Sequence, residues 1–172
     1  MYNIGEVINV IRIPAETERE ERKMPADGYV CRIVKAESGV NRYNDPCLLL
    51  YLDVAEGEFK NYFGQIYERR LKYGEDKYPC IYTQRVGKYS AKYFKRLTEA
   101  IEDSNEDYIC SCVEGEDWDE RELENLLIGV VFQEKEFINA RGKKRCFLVP
   151  HAIKTVDEIK RGEFIVPARR LG

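Results

Sequence analysis

Residues 48–63, LLLYLDVAEGEFKNYF, constrain the fold of this chain more than any other stretch. Read with the period of two that an extended backbone imposes, Leu48, Leu50, Leu52 and Val54 share one face, and Cys47, Leu49, Tyr51 and Asp53 share the other. A segment apolar on both faces almost to its end fits a central strand rather than an edge. Glu56-Gly57 reads as a turn, since glycine reaches positive φ without steric cost. Residues 59–63 are expected to return as a partner strand.

Other segments extend this into a sheet. YVCRIVKA at 29–36 is rich in β-branched residues and predicts a strand, followed by a polar loop at 38–46. LLIGVVFQEKEF at 126–137 predicts a long strand, 139–142 a hairpin connection, and 143–149 the returning strand. One helix is expected at 90–103, with Tyr93, Phe94, Leu97, Ala100 and Ile101 as its apolar stripe and Ser90 as N-cap. A short helix at 119–124 is expected beside an anchoring Trp118. Thr155-x-x-Glu158 is a capping box that opens a second helix at 155–161, stopping at Gly162. Residues 65–89 keep no sustained period and read as a long functional loop. Residues 1–24 alternate at Val7, Ile11 and Ile13 and then become charged, which predicts an arm and linker. One domain would span 25–167, with a tail at 168–172. The expected class is mainly β, α+β: an OB-like small antiparallel β-barrel, closed or partly open, with an α+β sandwich as the alternative.

A chain of 172 residues with 44% hydrophobic composition can form its core without a metal or disulfide. It contains no apolar run of about 18 residues to span a membrane. Its first residues lack a basic start and a clean apolar core, so a cytoplasmic location is expected. The six cysteines include no C-x-x-C, and His151 is the single histidine, so neither zinc nor another cofactor is expected. The lone histidine also excludes most His-based catalytic sets, and no phosphate-binding or nucleophile-elbow glycine motif occurs. Asp53, Glu56 and Glu58 with Lys60 resemble a metal-nuclease set but crowd one short hairpin; Asp53 reads better as an acceptor for turn N–H groups. A non-catalytic protein is the expectation.

The net charge of −3 conceals two opposed blocks. Residues 60–96 carry ten bases against three acids, and residues 97–127 carry twelve acids against Arg121 alone. Segregation of this kind points to partners. Non-specific single-strand binding needs cations for the backbone and aromatic faces for the bases. Tyr67, Arg69, Arg70, Lys72 and Tyr73, then Arg85, Lys88, Tyr89 and Lys92, supply both, and Arg141, Lys143 and Lys144 at the hairpin tip would form a facing wall. The 90–103 helix bears Lys92, Lys95 and Arg96 early and Glu99, Glu102 and Asp103 late, against the macrodipole preference. Either solvent hides this, or an anionic ligand approaches the helix start.

The phrases ADGYVCRIVKAES, LLLYLDVAEGEFKNYF, FKRLTEAIEDSN, LLIGVVFQEKEF and VDEIKRGEFIVP, in this order over residues 25–167, resemble a family of uncharacterised phage and prophage proteins of Gram-positive bacteria. Members of that family are regarded as single-stranded-DNA-binding-like and accompany replication and recombination genes. The resemblance implies a sequence-nonspecific DNA-binding role and carries no site residues with it. The acidic block then has two readings, as a solubilising surface or as a dock for a phage recombinase or replication protein. The alternative function is a dimeric adaptor or inhibitor that uses the acidic 97–127 surface without nucleic acid.

Overall fold

A computed structural model describes residues 23–171. The chain enters through β1 (Gly28–Val40), turns at 41–45, and returns as the antiparallel β2 (Pro46–Val54). Strand β3 (Ile81–Arg85) pairs with the other edge of β2. On the far side of β1, β4 (Leu127–Ile138) pairs with residues 28–32, and β5 (Lys144–Lys154) pairs with β4. The order is β3-β2-β1-β4-β5. β1 serves both halves because its register shifts between Ile33 and Lys35. Such a bulge bends a strand and increases its twist. The two-residue β6 (Arg170–Leu171) runs parallel to β4 beside Lys135 and Glu136, where β1 no longer pairs.

The period-two reading of β2 places its core face as expected: Leu50, Leu52 and Val54 are fully buried, and Leu48 nearly so. They meet Cys31 and Ile33 of β1, Ile128, Val130 and Phe132 of β4, and Leu97 and Ile101 of α2 (Ala91–Ser104). Each such side chain contributes roughly 1.5–3 kcal/mol on burial, so this seam dominates the stability of the sheet. Thr155 and Glu158 form the capping box of α3 (Val156–Lys160), and the chain leaves that helix through Gly162 at φ 70°.

Several expectations are corrected. Among the described residues β3 and β5 do not pair with each other, so of the closed and partly open forms expected the sheet is not the closed one. The coarser class holds: a mostly antiparallel sheet of six strands with helices against it. Residues 59–63 are not a strand. The chain turns through Gly57 at φ 88° and enters the helix α1 (Tyr62–Lys72). Residues 65–89 are therefore not one loop but most of α1, a connection at 73–80, and β3. Tyr93 is 49% exposed and lies off the buried stripe of α2, which is formed by Leu97, Thr98 and Ile101. β1 runs on to Val40 and β5 to Lys154, beyond the ends expected for them. The arm expected at 1–24 lies outside the described residues, except that Lys23 and Met24 are described and Met24 belongs to the core. Within residues 168–171, Arg169 contacts Glu134 at 2.7 Å.

Candidate nucleic-acid interface

The site is organised by the way α1 is anchored. Its N-cap, Asn61, sits in the left-handed region at φ 64° and makes no side-chain cap bond. The free N–H groups are met instead by a carboxylate eight residues earlier. Asp53 accepts from the N–H of Phe63 at 3.0 Å and of Gly64 at 3.0 Å, besides its neighbour Val54 at 2.9 Å. Phe63 and Gly64 are the second and third residues of the helix, the positions a capping oxygen normally serves. Asp53 is buried, and burial pushes its carboxyl above the ordinary range although the three N–H donors pull the other way. Its oxygens are occupied as the sequence reading of a turn acceptor required. Among the described residues no cluster of three or more His, Cys, Asp or Glu is arranged to hold a metal.

This anchor seats α1 with Phe63 in the core and its other flank beside the face of β1 and β2 on which strand pairing brings Arg32 against Asp53 and Lys35 against Tyr51. Between helix and sheet lies a cleft of about 930 Å³ lined by Arg32, Lys35, Tyr51, Tyr67, Lys77 and Tyr78, among others. Three tyrosine rings form its aromatic wall: Tyr51 and Tyr78 have centroids 5.5 Å apart, Tyr67 and Tyr78 5.2 Å. Every hydroxyl is tethered. Tyr67 donates to Asp76 at 2.6 Å, Tyr78 to the Leu52 carbonyl at 2.9 Å, and Tyr51 to Glu37. The hydrogen bond to Glu37 raises the Tyr51 phenol to about 12, the bond to Asp76 raises that of Tyr67, and burial raises that of Tyr78. All three rings stay neutral at physiological pH, and the charges of the cleft are mixed: Arg32, Lys35 and Lys77 share its lining with Asp53, Glu68 and Asp76. The Lys35 ammonium lies 5.1 Å from the Tyr51 ring centroid, a cation–π distance.

The cationic and aromatic residues expected to converge on one groove fall into three groups. Tyr67, Arg69, Arg70, Lys72 and Tyr73 belong to α1 and its C-terminal end, with Tyr67 in the cleft and Tyr73 88% exposed. Arg70 lies on the opposite flank of α1 and donates to the Lys77 carbonyl at 3.0 Å. A second group sits where β3 runs out. Arg85 contacts Asp45 at 3.5 Å, Lys88 and the 93% exposed Tyr89 lie in a 3-10 turn, and the Lys92 ammonium lies over Tyr93. Ser90 is the N-cap of α2 but makes no side-chain cap bond. The third group, Arg141, Lys143 and Lys144, is at the β4–β5 tip, where Lys144 also meets Glu136 at 3.5 Å. Arg85 is level with Cys47 and Gly39, whereas the tip extends past Gly28. Those two levels are about 35 Å apart along β1 at the rise of a strand. The second and third groups do not share a groove.

Arg32, Lys35, Tyr51 and Tyr78 were missed by sequence reasoning. The signal for Tyr51 was the row opposite the core face of β2, where it and Asp53 interrupt an apolar pattern; Arg32 and Lys35 are the charges of the YVCRIVKA strand, and Tyr78 is one of the tyrosines interleaved with bases in 65–89. Part of the acidic block also has internal work. Glu120 and Glu124 accept from the N–H groups of Ser38 at 2.9 Å and Ala36 at 3.1 Å, along the stretch of β1 that β4 leaves unpaired. Glu122 gathers Tyr108, Ser111 and Trp118. No protein-family model and no curated protein matches this chain.

Proposed function

We propose that this protein is a non-catalytic, sequence-nonspecific single-stranded-DNA-binding protein of the phage or prophage kind, with an OB-like fold left open between β3 and β5. The observation that carries the reading is the cleft beside α1, where three pre-oriented tyrosines stand among Arg32, Lys35 and Lys77. Asp53, Glu68 and Asp76 are in the same lining, with Asp53 and Asp76 already engaged by N–H groups and by Tyr67. Aromatic faces and cations are the two ingredients of non-specific single-strand recognition, each stacked base being worth roughly 1–3 kcal/mol. The strand order supports the reading as well. A bulged β1 shared between β2 and β4, with a helix between β3 and β4, matches a partly open five-stranded barrel that binds oligonucleotides on its second and third strands. The cleft lies over β1 and β2, with Ile81 at the start of β3 on its rim.

The adaptor alternative loses part of its surface, because Glu120, Glu122 and Glu124 accept hydrogen bonds from the protein itself. The reading is tested by fluorescence anisotropy of a labelled oligothymidylate across a salt series. Affinity should fall with salt at a log–log slope of about −0.7 per phosphate contact. The double variant Lys35→Gln/Lys77→Gln should weaken binding and flatten the slope by about 1.4, two contacts' worth. Absent or salt-independent binding would refute the proposal.

A further inference from the structure

A second groove runs along the other flank of α1, between that helix and the ribbon formed by the outer halves of β4 and β5. It encloses about 770 Å³. Its apolar lining includes Tyr62, Ile66, Phe137, Phe147 and Leu148, and its cations are Lys23, Arg70 and Lys135. The acid among its lining residues, Glu134, is engaged by Arg169 at 2.7 Å. Phe137 and Phe147 stand edge to face with centroids 5.2 Å apart, yet remain 39% and 41% exposed. A core pair would not be left that open to water.

We infer that this groove is a second stacking site for the same DNA strand, which leaves the tyrosine cleft, crosses the C-terminal end of α1 and continues past Phe137 and Phe147 toward the hairpin tip. The inference rests on the single-stranded-DNA reading above and extends its footprint. Both grooves reach the end of α1: the cleft includes Leu71 and Lys77, the second groove Arg70 and Pro79. At that crossing stand Lys72 and the solvent-facing Tyr73. Beyond the second groove the ribbon ends in Arg141, Lys143, Lys144 and Arg145, all exposed. An acidic peptide would meet those cations but brings no succession of planar bases to the exposed Phe137–Phe147 pair. A polyanion carrying planar bases meets both.

The test compares labelled oligothymidylates of about five and about fifteen nucleotides, near the ends of the span that one OB fold occupies. The wild-type protein should bind both, and the longer at least tenfold more tightly. The double variant Phe137→Leu/Phe147→Leu keeps apolar bulk but removes the ring faces. It should weaken the longer oligonucleotide about fivefold or more, the value of one stacked base, and leave the shorter unchanged. Equal effects on both lengths, or no effect on the longer, would overturn the inference while leaving the cleft intact. Failure of the wild-type protein to bind either length would instead remove the functional reading beneath it. Urea denaturation of the variant separates these results from loss of fold.

Discussion

Replacing Asp53 tests whether a strand carboxylate is the true cap of α1. In Asp53→Ala the N–H groups of Phe63 and Gly64 lose their acceptor in a buried setting. Loss of a capping oxygen costs about 0.5–2 kcal/mol, and leaving a buried donor unsatisfied about 1–3 kcal/mol. These overlap, so a net loss of roughly 2–3 kcal/mol is expected, which for a chain of this size lowers Tm by roughly 5–10 °C. Asp53→Asn keeps the oxygen that serves Val54 and Phe63 but turns an NH₂ toward the Gly64 N–H, and should cost about 1 kcal/mol, one hydrogen bond. The pH dependence has a definite sign. Burial holds the folded carboxyl above its ordinary position, so folding takes up a proton in that window. The contribution of this group to stability therefore grows as pH falls through it, and both variants should flatten the dependence. Urea denaturation followed by circular dichroism gives the stabilities, and amide hydrogen exchange at Phe63 and Gly64 gives the local effect. An Asp53→Ala loss below about 0.5 kcal/mol, well under the cost of a cap, or unchanged exchange at those two amides, would refute the reasoning.

Two further substitutions probe the frame. Glu122 is partly buried, which by itself would raise its carboxyl, but the donors from Ser111, Tyr108 and Trp118 outweigh burial and hold it below the ordinary range. Its stabilising contribution is present above the ordinary carboxylate range and lost as pH falls through the depressed value. Glu122→Gln should therefore cost about 1–3 kcal/mol at neutral pH and blunt the acid transition. Fluorescence of Trp118, the one tryptophan of the chain, reports both. In β4, a Cβ on Gly129 would lie 2.5 Å from the Ile159 side chain and 2.6 Å from the Thr155 carbonyl. Gly129→Ala should destabilise by about 1–3 kcal/mol or more as α3 is forced off the sheet, and a thermal melt matching wild type would contradict that packing.

Legibility followed locality. The alternation of β2, the hairpin at 139–142 and the Thr155–Glu158 capping box each lie within a few residues of sequence, and each stands where the pattern put it. α1 was misread because Phe59 and Phe63 are four apart. That spacing satisfies a strand's period of two and comes close to a helix's 3.6. Ile66 and Tyr67, on the next helical turn, break the tie in favour of a helix. Asp53 could be read as an acceptor of turn N–H groups but not as the cap of a helix: it reaches Phe63 across ten residues of chain, with an ordinary N-cap candidate, Asn61, in between. The cleft failed for a related reason. Tyr51, Tyr67 and Tyr78 come from a strand, a helix and a connection, and only the fold brings them into ring contact. Whether the sheet closes depends on two edges, β3 and β5, that no local pattern compares.

The central claim, that the tyrosine cleft receives single-stranded DNA, is tested most directly by ultraviolet cross-linking of the protein to oligothymidylate followed by peptide mapping. Cross-links concentrated at Tyr51, Tyr67 and Tyr78, suppressed by excess unlabelled oligonucleotide and by high salt, are the predicted result. Cross-links confined to the acidic 97–127 segment, or none under conditions that label a known single-strand binder, would contradict it.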